Sequence, residues 1–146
     1  MVRVAIVGLG NISAAHIMAY KTFPERCKIV AMVDILPEKA RKRAEEFGVD
    51  CEIFDDHHKI LDRDDIDLVD VCTPPYVHAE ISINALRAGK HVLCEKPMAA
   101  SLEECDAVLA AAKESGRLFS SIAQNRFRRP IANLKAVLDS GLAGEV

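Results

Sequence analysis

The chain has 146 residues, of which 50% are hydrophobic and 28% charged, and its formal net charge is −3. This length fits one domain with a single core. An acidic balance disfavours a nucleic-acid partner, because such proteins usually present a basic field to the phosphates. The sequence also lacks the run of roughly eighteen apolar residues that a membrane span requires. We therefore expect a soluble globular domain with neither nucleic acid nor membrane as partner.

The cysteines indicate a reducing compartment. There are five, an odd number without a Cys-x-x-Cys pair, which disfavours a disulfide framework and a zinc site. The chain enters a strand-like run at Val2 without the basic region and long apolar stretch of a secretory signal. The sequence thus predicts free thiols and a cytoplasmic location.

Six short apolar or β-branched runs alternate with helical patterns along the chain. The runs cover residues 2–7, 29–33, 51–54, 68–72, 91–94 and 118–122. Strands that alternate with helices predict a parallel sheet. The first, second and fourth runs are nearly continuous in apolar character, as expected of strands that helices cover on both faces. This pattern predicts an α/β fold with three layers, a sheet between two layers of helices.

The helical patterns carry start and stop signals. Two apolar stripes have amphipathic spacing, namely Val77, Ile81 and Ala85, then Leu102, Cys105, Leu109 and Ala112. Helix starts are indicated by Pro37 and by Ser101 with Glu104, a capping-box match. Four glycines mark helix ends: Gly48, Gly89, Gly116 and Gly141. Together these signals predict two βαβαβ halves, a doubly wound Rossmann sheet with strand order 3-2-1-4-5-6.

A glycine-rich turn follows the first strand. The string Gly8-Leu9-Gly10-Asn11-Ile12-Ser13 matches the dinucleotide fingerprint G-x-G-x-x-G/A, except that Ser13 takes the third small position. Gly8 permits the tight turn, and Gly10 lets the backbone approach a pyrophosphate at the helix N-terminus. The residues Gly8, Gly10, Asn11 and Ile12 are therefore candidate cofactor-binding residues.

Asp34 ends the second predicted strand, near the place where dinucleotide-binding proteins keep an acid for the adenosine ribose. Its carboxylate would accept hydrogen bonds from both ribose hydroxyls and would repel a 2′-phosphate. This favours NAD over NADP as the cofactor. Arg41 or Lys42 would offset that repulsion, so NADP stays open. The alternative is that Asp34 only caps the helix near Pro37.

Two further loops follow the fourth and fifth strands at the same edge of the sheet. Thr73 and Pro74 begin the first loop, and His78 follows it. These residues are candidates for the ligand site at this edge. The alternatives are that the loop is an ordinary strand-to-helix connection and that His78 is a surface or capping histidine. In the second loop, Lys96 after Glu95 is a candidate donor to a ribose or substrate hydroxyl and would stabilise alkoxide character. The alternative is a solvated Glu-Lys pair; a cis bond before Pro97 is also open.

Three strings together resemble the N-terminal domain of the Gfo/Idh/MocA family of nicotinamide-dependent oxidoreductases. They are Thr73-Pro74-Pro75 with His78, the segment 88–97 that ends in Glu95-Lys96-Pro97, and Asn125-Arg126-Phe127, and the likeness extends to the segment 140–146. The resemblance implies that Lys96 and Glu95 are catalytic and that the cofactor site also includes Thr73, Pro74, His78, Asn125 and Arg126. It further implies NAD as cofactor and a sugar, cyclitol or related polyol as substrate.

The resemblance also implies a second domain. Family members continue into a larger α/β domain that holds further catalytic residues and most of the substrate pocket. We therefore expect residues 1–123 to form the dinucleotide-binding domain and residues 124–146 a connector with a helix at 131–138. This chain would bind cofactor without turnover, and its exposed apolar helix would fray or self-associate; a homo-oligomer stays open. The alternative is a non-catalytic dinucleotide sensor or regulatory module.

The remaining groups of potential metal ligands and nucleophiles have simpler explanations. Asp55-Asp56-His57-His58 contains metal-ligand types, but adjacent residues rarely point the same way, and aspartates before a helix are expected as N-caps. A calcium-loop pattern is absent from the aspartates at 62–67. Cys72 and Cys94 are interpreted as buried strand thiols. We expect no metal site.

Overall fold

The structure is a computed structural model that describes residues 1–144, so the last two residues of the predicted connector lie outside it. It contains six strands, five α-helices and three short 3₁₀ helices within that range. The strands are β1 (Val2–Val7), β2 (Cys27–Val33), β3 (Glu52–Phe54), β4 (Leu68–Val71), β5 (His91–Cys94) and β6 (Phe119–Ser121). The helices are α1 (Ser13–Thr22), α2 (Pro37–Phe47), α3 (His78–Arg87), α4 (Leu102–Ser115) and α5 (Arg129–Asp139). The 3₁₀ helices are His57–Ile60, Pro75–Val77 and Gln124–Phe127.

The strands form one parallel sheet in the order β3-β2-β1-β4-β5-β6. This confirms the predicted Rossmann topology. The chain order reverses between β1 and β4, which is the switch point where doubly wound sheets bind ligands. Ligand-binding loops are therefore expected after the carboxyl ends of these two strands.

Two apolar clusters cover the two faces of the sheet. Val4 and Ile6 of β1 pack with Ile17 of α1 on one face, in a cluster that also includes residues of α2. The alternate residues Ala5 and Val7 pack on the other face, where α3 and α4 contribute. Successive side chains of a strand point to opposite faces, so β1 is buried on both. The predicted three-layer architecture is confirmed.

The carboxyl ends of all six strands lie in one row across the sheet. The Cα partners that define this row are Phe54, Val33, Val7, Val71, Cys94 and Ser121. The next residue of each of five strands continues the ladder by donating its N–H to a neighbour's carbonyl: Gly8, Asp34, Cys72, Glu95 and Ile122. The loops after β1, β2, β4, β5 and β6 consequently start at the same height.

Helix ends follow the predicted signals. The Ser101 hydroxyl accepts from the backbone N–H of Glu104 at 3.2 Å, and the Glu104 carboxylate accepts from Ala100 N–H at 2.8 Å. Gly48 and Gly116 end α2 and α4 in the left-handed conformation, with φ of 60° and 64°.

The predicted apolar stripe of α4 is partly wrong. Val108 and Ala111 are buried, whereas Leu102 is 80% exposed and Leu109 is 54% exposed. The buried face is the one that meets α3, and it is centred about a hundred degrees of helix rotation away from Leu109. Packing against α3, rather than the largest side chains, decides which face is covered.

The last helix lies outside the core. None of the residues of α5 is buried, and Ile131, Leu134 and Val137 are 45%, 54% and 44% exposed. A helix between residues 131 and 138 was predicted, and it forms. Among residues 1–144, no helix combines the length and apolar character needed to cross a membrane.

Candidate dinucleotide site

The glycine loop packs tightly against the loop after β4. Gly8 has a φ of 93°, and a Cβ atom there would lie 2.7 Å from the backbone nitrogen of Thr73 and 2.8 Å from the carbonyl carbon of Cys72. An L side chain is strained at this φ and has no space. Gly8 therefore joins the ends of β1 and β4 at the switch point of the sheet.

Gly10 differs from Gly8 because it faces open space. A Cβ atom at Gly10 would meet nothing within 4 Å. The helix that follows, α1, begins at Ser13, and its N-cap residue Ile12 provides no side-chain hydrogen bond. Its first N–H groups are therefore available to an anion in the space beside Gly10. Ser13, which replaces the third glycine of the fingerprint, is fully buried and donates its hydroxyl to the carbonyl of Gly10 at 2.7 Å.

Asp34 is tied to the glycine loop. Its Oδ2 accepts from the backbone N–H of Leu9 at 2.8 Å, and its Oδ1 accepts from Leu36 N–H at 3.0 Å. The first bond holds the carboxylate beside the dinucleotide fingerprint. The second is to the N-cap residue of α2, and the helix has no side-chain cap, so the alternative that Asp34 only caps this helix is wrong. A carboxylate has about four acceptor positions, so two remain for ribose hydroxyls.

A cleft of about 470 Å³ opens between the glycine loop and α2. Its lining includes Gly10 and Asn11 on one side and Lys39, Lys42 and Arg43 on the other. Lys42, predicted as a group that would admit a 2′-phosphate, therefore borders this space. A second hollow, of about 270 Å³, lies at the amino ends of β1 and β2, on the opposite edge of the sheet.

Arg43 of α2 contacts the glycine loop. It donates from Nη2 to the carbonyl of Gly10 at 3.1 Å and from Nη1 to Glu46 at 2.9 Å. The side chain of Arg43 is only 18% exposed. The Gly10 carbonyl thus accepts from both Ser13 and Arg43, and the second bond ties α2 to the glycine loop.

Thr73 and His78 hold the loop after β4. The Nε2 atom of His78 lies 2.7 Å from the carbonyl oxygen of Thr73, and Nδ1 lies 2.7 Å from that of Pro97. His78 is 1% exposed, so the alternative of a surface histidine is wrong. Both ring nitrogens are engaged, and His78 joins the loop after β4 to the loop after β5.

A buried hydroxyl at this loop has no partner. Thr73 Oγ1 is covered from solvent and makes no hydrogen bond within residues 1–144. Buried polar atoms of this kind are rare and need an explanation, for which a bound polar ligand is one answer. Pro74 precedes the 3₁₀ helix Pro75–Val77 in an extended conformation, with φ −62° and ψ 148°.

The loop after β5 presents Lys96 to solvent. Glu95 is 5% exposed, and its Oε2 accepts from the backbone N–H of Lys96 at 3.0 Å. The Lys96 side chain is exposed, and its ammonium has no hydrogen-bond partner in the described part of the chain. The Lys96–Pro97 peptide is cis, one of the two forms left open from the sequence. A solvated Glu-Lys pair is wrong for Glu95, which points into the protein.

A buried polar network lies beneath Glu95. His16 of α1 places Nδ1 2.8 Å from Asp70 Oδ2 and Nε2 3.1 Å from Glu95 Oε1. Tyr20 donates its hydroxyl to the same Asp70 oxygen at 3.0 Å. Asp70 and His16 are 0% and 9% exposed. Burial by itself lowers the pKa of His16, but the hydrogen bonds and charges of Asp70 and Glu95 outweigh it and raise the pKa to about 9.

Sequence reasoning missed His16, Asp70 and Tyr20. The available signal was Asp70, an acid inside an otherwise apolar strand. Such a residue is almost never buried without a partner, so its position indicates a cation or hydrogen-bond donor on the covering helices.

Asn125 and Arg126 lie in the 3₁₀ helix Gln124–Phe127, which follows β6 at the same carboxyl edge. Both are exposed. Two strand spacings, or about 10 Å, separate β6 from β4, so these residues lie toward the side of the site. Their cofactor role stays a prediction.

Two groups in the described residues have donor atoms within 4.8 Å of one another, and both are explained by hydrogen bonds. One is His16 with Asp70 and Cys72; the other is Asp56 with His57 and His58. Asp56 Oδ1 accepts from the backbone N–H of His58 at 2.9 Å, the N-cap role that was predicted for this segment.

The two strand-end thiols are buried, as predicted. Cys94 and Cys72 are 0% and 5% exposed. Burial raises the pKa of Cys94 to about 11, with smaller contributions from the Asp70 and Glu95 charges. Burial likewise raises the pKa of Cys72, so neither thiol is activated as a nucleophile.

A parallel sheet with this strand order, an uncapped helix after a glycine loop and an acid after β2 define a Rossmann-type dinucleotide-binding domain. Residues 2–122 match the family described as "Oxidoreductase family, NAD-binding Rossmann fold". The chain belongs to this family, Gfo/Idh/MocA, as the sequence motifs predicted.

Curated relatives include two kinds of dehydrogenase. Inositol 2-dehydrogenase of Salmonella typhimurium strain LT2 is 27% identical over 144 residues, which cover 98% of this chain and 43% of that protein. Levoglucosan dehydrogenase of Pseudarthrobacter phenanthrenivorans is 34% identical over an alignment of 154 positions, which covers 99% of this chain and 38% of that protein. The chain thus spans about two fifths of the length of these relatives.

A solved structure of similar fold is the WlbA dehydrogenase from Bordetella pertussis in complex with NADH and UDP-GlcNAcA. Its TM-score to this chain is 0.89 at 28% sequence identity, and the match covers 96% of this chain and 42% of that one. The family is NAD-binding, and this member was solved with the reduced cofactor.

Proposed function

We propose that this chain is the cofactor-binding part of an NAD-dependent oxidoreductase that acts on hydroxyl groups of a polyol or sugar. One observation carries the proposal: the strands end in one row, which brings the Gly8 loop, Asp34, Thr73 and Lys96 to the same edge of the sheet. That edge includes the switch point between β1 and β4.

The residues present fit a dinucleotide. The open space beside Gly10 and the uncapped start of α1, with Asn11 and Ile12, suit a pyrophosphate. Asp34 suits the adenosine ribose, and the unpartnered Thr73 hydroxyl lies next to Gly8 at the centre of the edge. Pro74 and His78 fix the shape of the loop after β4.

Lys96 is the chain's candidate catalytic residue. A bound nicotinamide would supply the hydride acceptor or donor for the reaction. The exposed Lys96 ammonium would donate a hydrogen bond to the nicotinamide ribose or to the reacting hydroxyl and stabilise negative charge on that oxygen. Glu95 acts on Lys96 through its backbone N–H. Asn125 and Arg126 would border the same half of the site.

The substrate class rests on the relatives. Inositol and levoglucosan dehydrogenases are named for a cyclitol and an anhydrosugar, both of which carry secondary hydroxyl groups. The chain matches about two fifths of their length, so we infer that it binds cofactor and does not turn over substrate by itself. NAD is the preferred cofactor because Asp34 repels a 2′-phosphate. The five free thiols support a cytoplasmic location.

Calorimetric titration of the purified chain with NADH tests the binding. We expect saturable binding, and absence of binding to NADH and NAD⁺ would overturn the proposal.

Mixing the chain with NAD⁺ and myo-inositol should give no NADH absorbance, and robust turnover would contradict the inference that the chain does not turn over substrate by itself. The Lys96→Ala variant should still bind NADH through the intact adenine half, but about tenfold more weakly, because the contact to the nicotinamide half is lost.

A further inference from the structure

The contact between Glu95 and Lys96 continues into a buried network, and the proposed function assigns no role to the other members of that network. Helix α1 supplies His16, β4 supplies Asp70, and the loop after β5 supplies Glu95. One carboxylate oxygen of Glu95 contacts His16, and the other accepts a hydrogen bond from the backbone N–H of Lys96. A continuous path of hydrogen bonds therefore leads from the interior to the residue that carries the exposed ammonium.

His16 faces only acceptors. Asp70 Oδ2 lies 2.8 Å from Nδ1 and Glu95 Oε1 lies 3.1 Å from Nε2. A neutral imidazole donates from one nitrogen only, and its other lone pair would face a carboxylate oxygen. His16, Asp70 and Glu95 must therefore hold one additional proton between them, beyond the single N–H proton of a neutral imidazole. Loss of that proton breaks one of the two hydrogen bonds, wherever the proton resides.

The other groups around His16 fit this arrangement. Tyr20, one turn along α1, donates to Asp70, so it reinforces the acceptor side. The thiol of Cys72 lies 3.8 Å from Asp70 Oδ1, and that of Cys94 donates to the carbonyl of Glu95 at 3.3 Å. Burial raises the pKa of Tyr20 and of both thiols, so His16 is the group here whose proton is lost first on alkalinisation.

Stability alone does not account for the network. A buried ionic triad costs desolvation that its internal attraction only partly offsets, and apolar side chains of similar volume often stabilise as well or better. The alternate residues of β4, Val69 and Val71, show that this strand packs apolar side chains without difficulty. The position of the triad directly beneath the Lys96 backbone is explained if the triad holds Lys96 in place.

We propose that His16 is a positioning residue for Lys96: by donating to Asp70 and Glu95 together, it fixes the carboxylate that holds the Lys96 backbone and so aims the ammonium at the nicotinamide half of the dinucleotide. This inference rests on the proposed cofactor-binding function. It assigns His16 no contact with cofactor or substrate. It also distinguishes the two halves of the site, because the adenosine half is held by Asp34 and the glycine loop.

The test compares NADH with ADP, which probes the adenosine half alone, for the wild type and His16→Gln at about pH 7 and about pH 9.5. Gln keeps a single donor group and cannot bridge the two carboxylates as an imidazolium does. We expect about tenfold weaker NADH binding by His16→Gln at the lower pH, with ADP binding within about twofold of wild type. In the wild type, NADH affinity should fall at the higher pH while ADP affinity is kept.

The matched control is His57→Gln, which changes a largely buried histidine, 13% exposed, on another element and should behave like the wild type. NADH binding by His16→Gln equal to wild type at both pH values overturns the inference. So does a parallel loss of NADH and ADP binding, which marks a purely structural role. The wild-type pH comparison decides the matter even if the variant fails to fold. Wild-type protein that binds neither nucleotide overturns the proposed function itself.

Discussion

The Asp34 carboxylate accepts a 2.8 Å hydrogen bond from the backbone N–H of Leu9. The acid that follows β2 and the glycine loop that follows β1 are therefore held as one unit. Because the carboxylate is fixed before any ligand arrives, its remaining acceptor positions are preorganised for ribose hydroxyls. Asp34 thus has both a structural and a candidate binding role.

Asp34→Asn should weaken NADH binding and shift cofactor preference. The variant removes the charge and one acceptor, and hydrogen bonds to a charged group contribute about 1.5–3 kcal/mol each. We expect NADH affinity to fall about tenfold or more, while NADPH affinity falls less, because Lys42 borders the cleft and the repelling carboxylate is gone. Parallel titrations with NADH and NADPH measure the ratio.

The control for this change is Asp50→Asn, an exposed aspartate at the amino edge of the sheet, which should leave both affinities unchanged. An unaltered ratio of NADH to NADPH affinity in Asp34→Asn would show that Asp34 does not read the ribose.

Gly8→Ala and Gly10→Ala should separate folding from binding. At Gly8, the positive φ and the 2.7 Å approach to Thr73 predict a loss of about 2–4 kcal/mol in the free energy of unfolding. At Gly10 the space is open, so stability should change by less than about 0.5 kcal/mol. The new methyl group would instead occupy the space proposed for the pyrophosphate and weaken NADH binding.

Urea unfolding and NADH titration of the same preparations measure both effects. Equal stability of the two variants, or undiminished NADH binding by Gly10→Ala, would contradict the assignment of the loop.

The free energy of unfolding should fall as pH rises through the His16 titration. The pKa of His16 is about 9 in the folded protein and 6.5 in an unperturbed histidine, so the folded state binds the proton more tightly. This contribution is fully present below about pH 6.5 and is lost as pH rises past about 9, with a magnitude on the order of 3 kcal/mol.

Urea unfolding between neutral and alkaline pH measures this slope. In His16→Gln it should be shallower, whereas His58→Gln, which removes an exposed histidine, should keep it. An identical slope in His16→Gln would place the titration elsewhere.

The amides of α5 should exchange with solvent faster than those of the central strands. No residue of α5 is buried, and its main neighbour is the 3₁₀ helix Gln124–Phe127. Local opening of such a helix costs little, so we expect protection on the order of a hundredfold or more below that of β1 and β4. Hydrogen exchange followed by mass spectrometry measures it. Protection of α5 equal to that of β1 would indicate that another surface covers the helix.

Much of the fold followed from local patterns. The alternation of apolar runs and helices predicted the sheet order, and Ser101 and Gly116 predicted the limits of α4. These signals act within a few residues, so the sequence displays them directly. The exposure of Leu109 did not follow, because which side of α4 is covered depends on α3, a partner that the spacing within α4 does not reveal.

The candidate site divides in the same way. Gly8 and Asp34 were recognisable because their spacing belongs to a local motif. The network of His16, Asp70 and Glu95 was not, because its members are 54 and 79 positions apart and meet only after the sheet has formed. Asp70 alone was a clue, as a charge in a strand that the topology buries.

All proposed site residues lie at the carboxyl ends of the strands, so the opposite edge of the sheet contains none of them. Met1 and Val49 border the hollow there, at the amino ends of the strands. A tether attached at Met1 would hold the protein on a bead or electrode with the loops pointing into solution. Dinucleotides would then reach the carboxyl edge of the sheet unhindered, so the amino edge at Met1 is the suitable place for immobilisation.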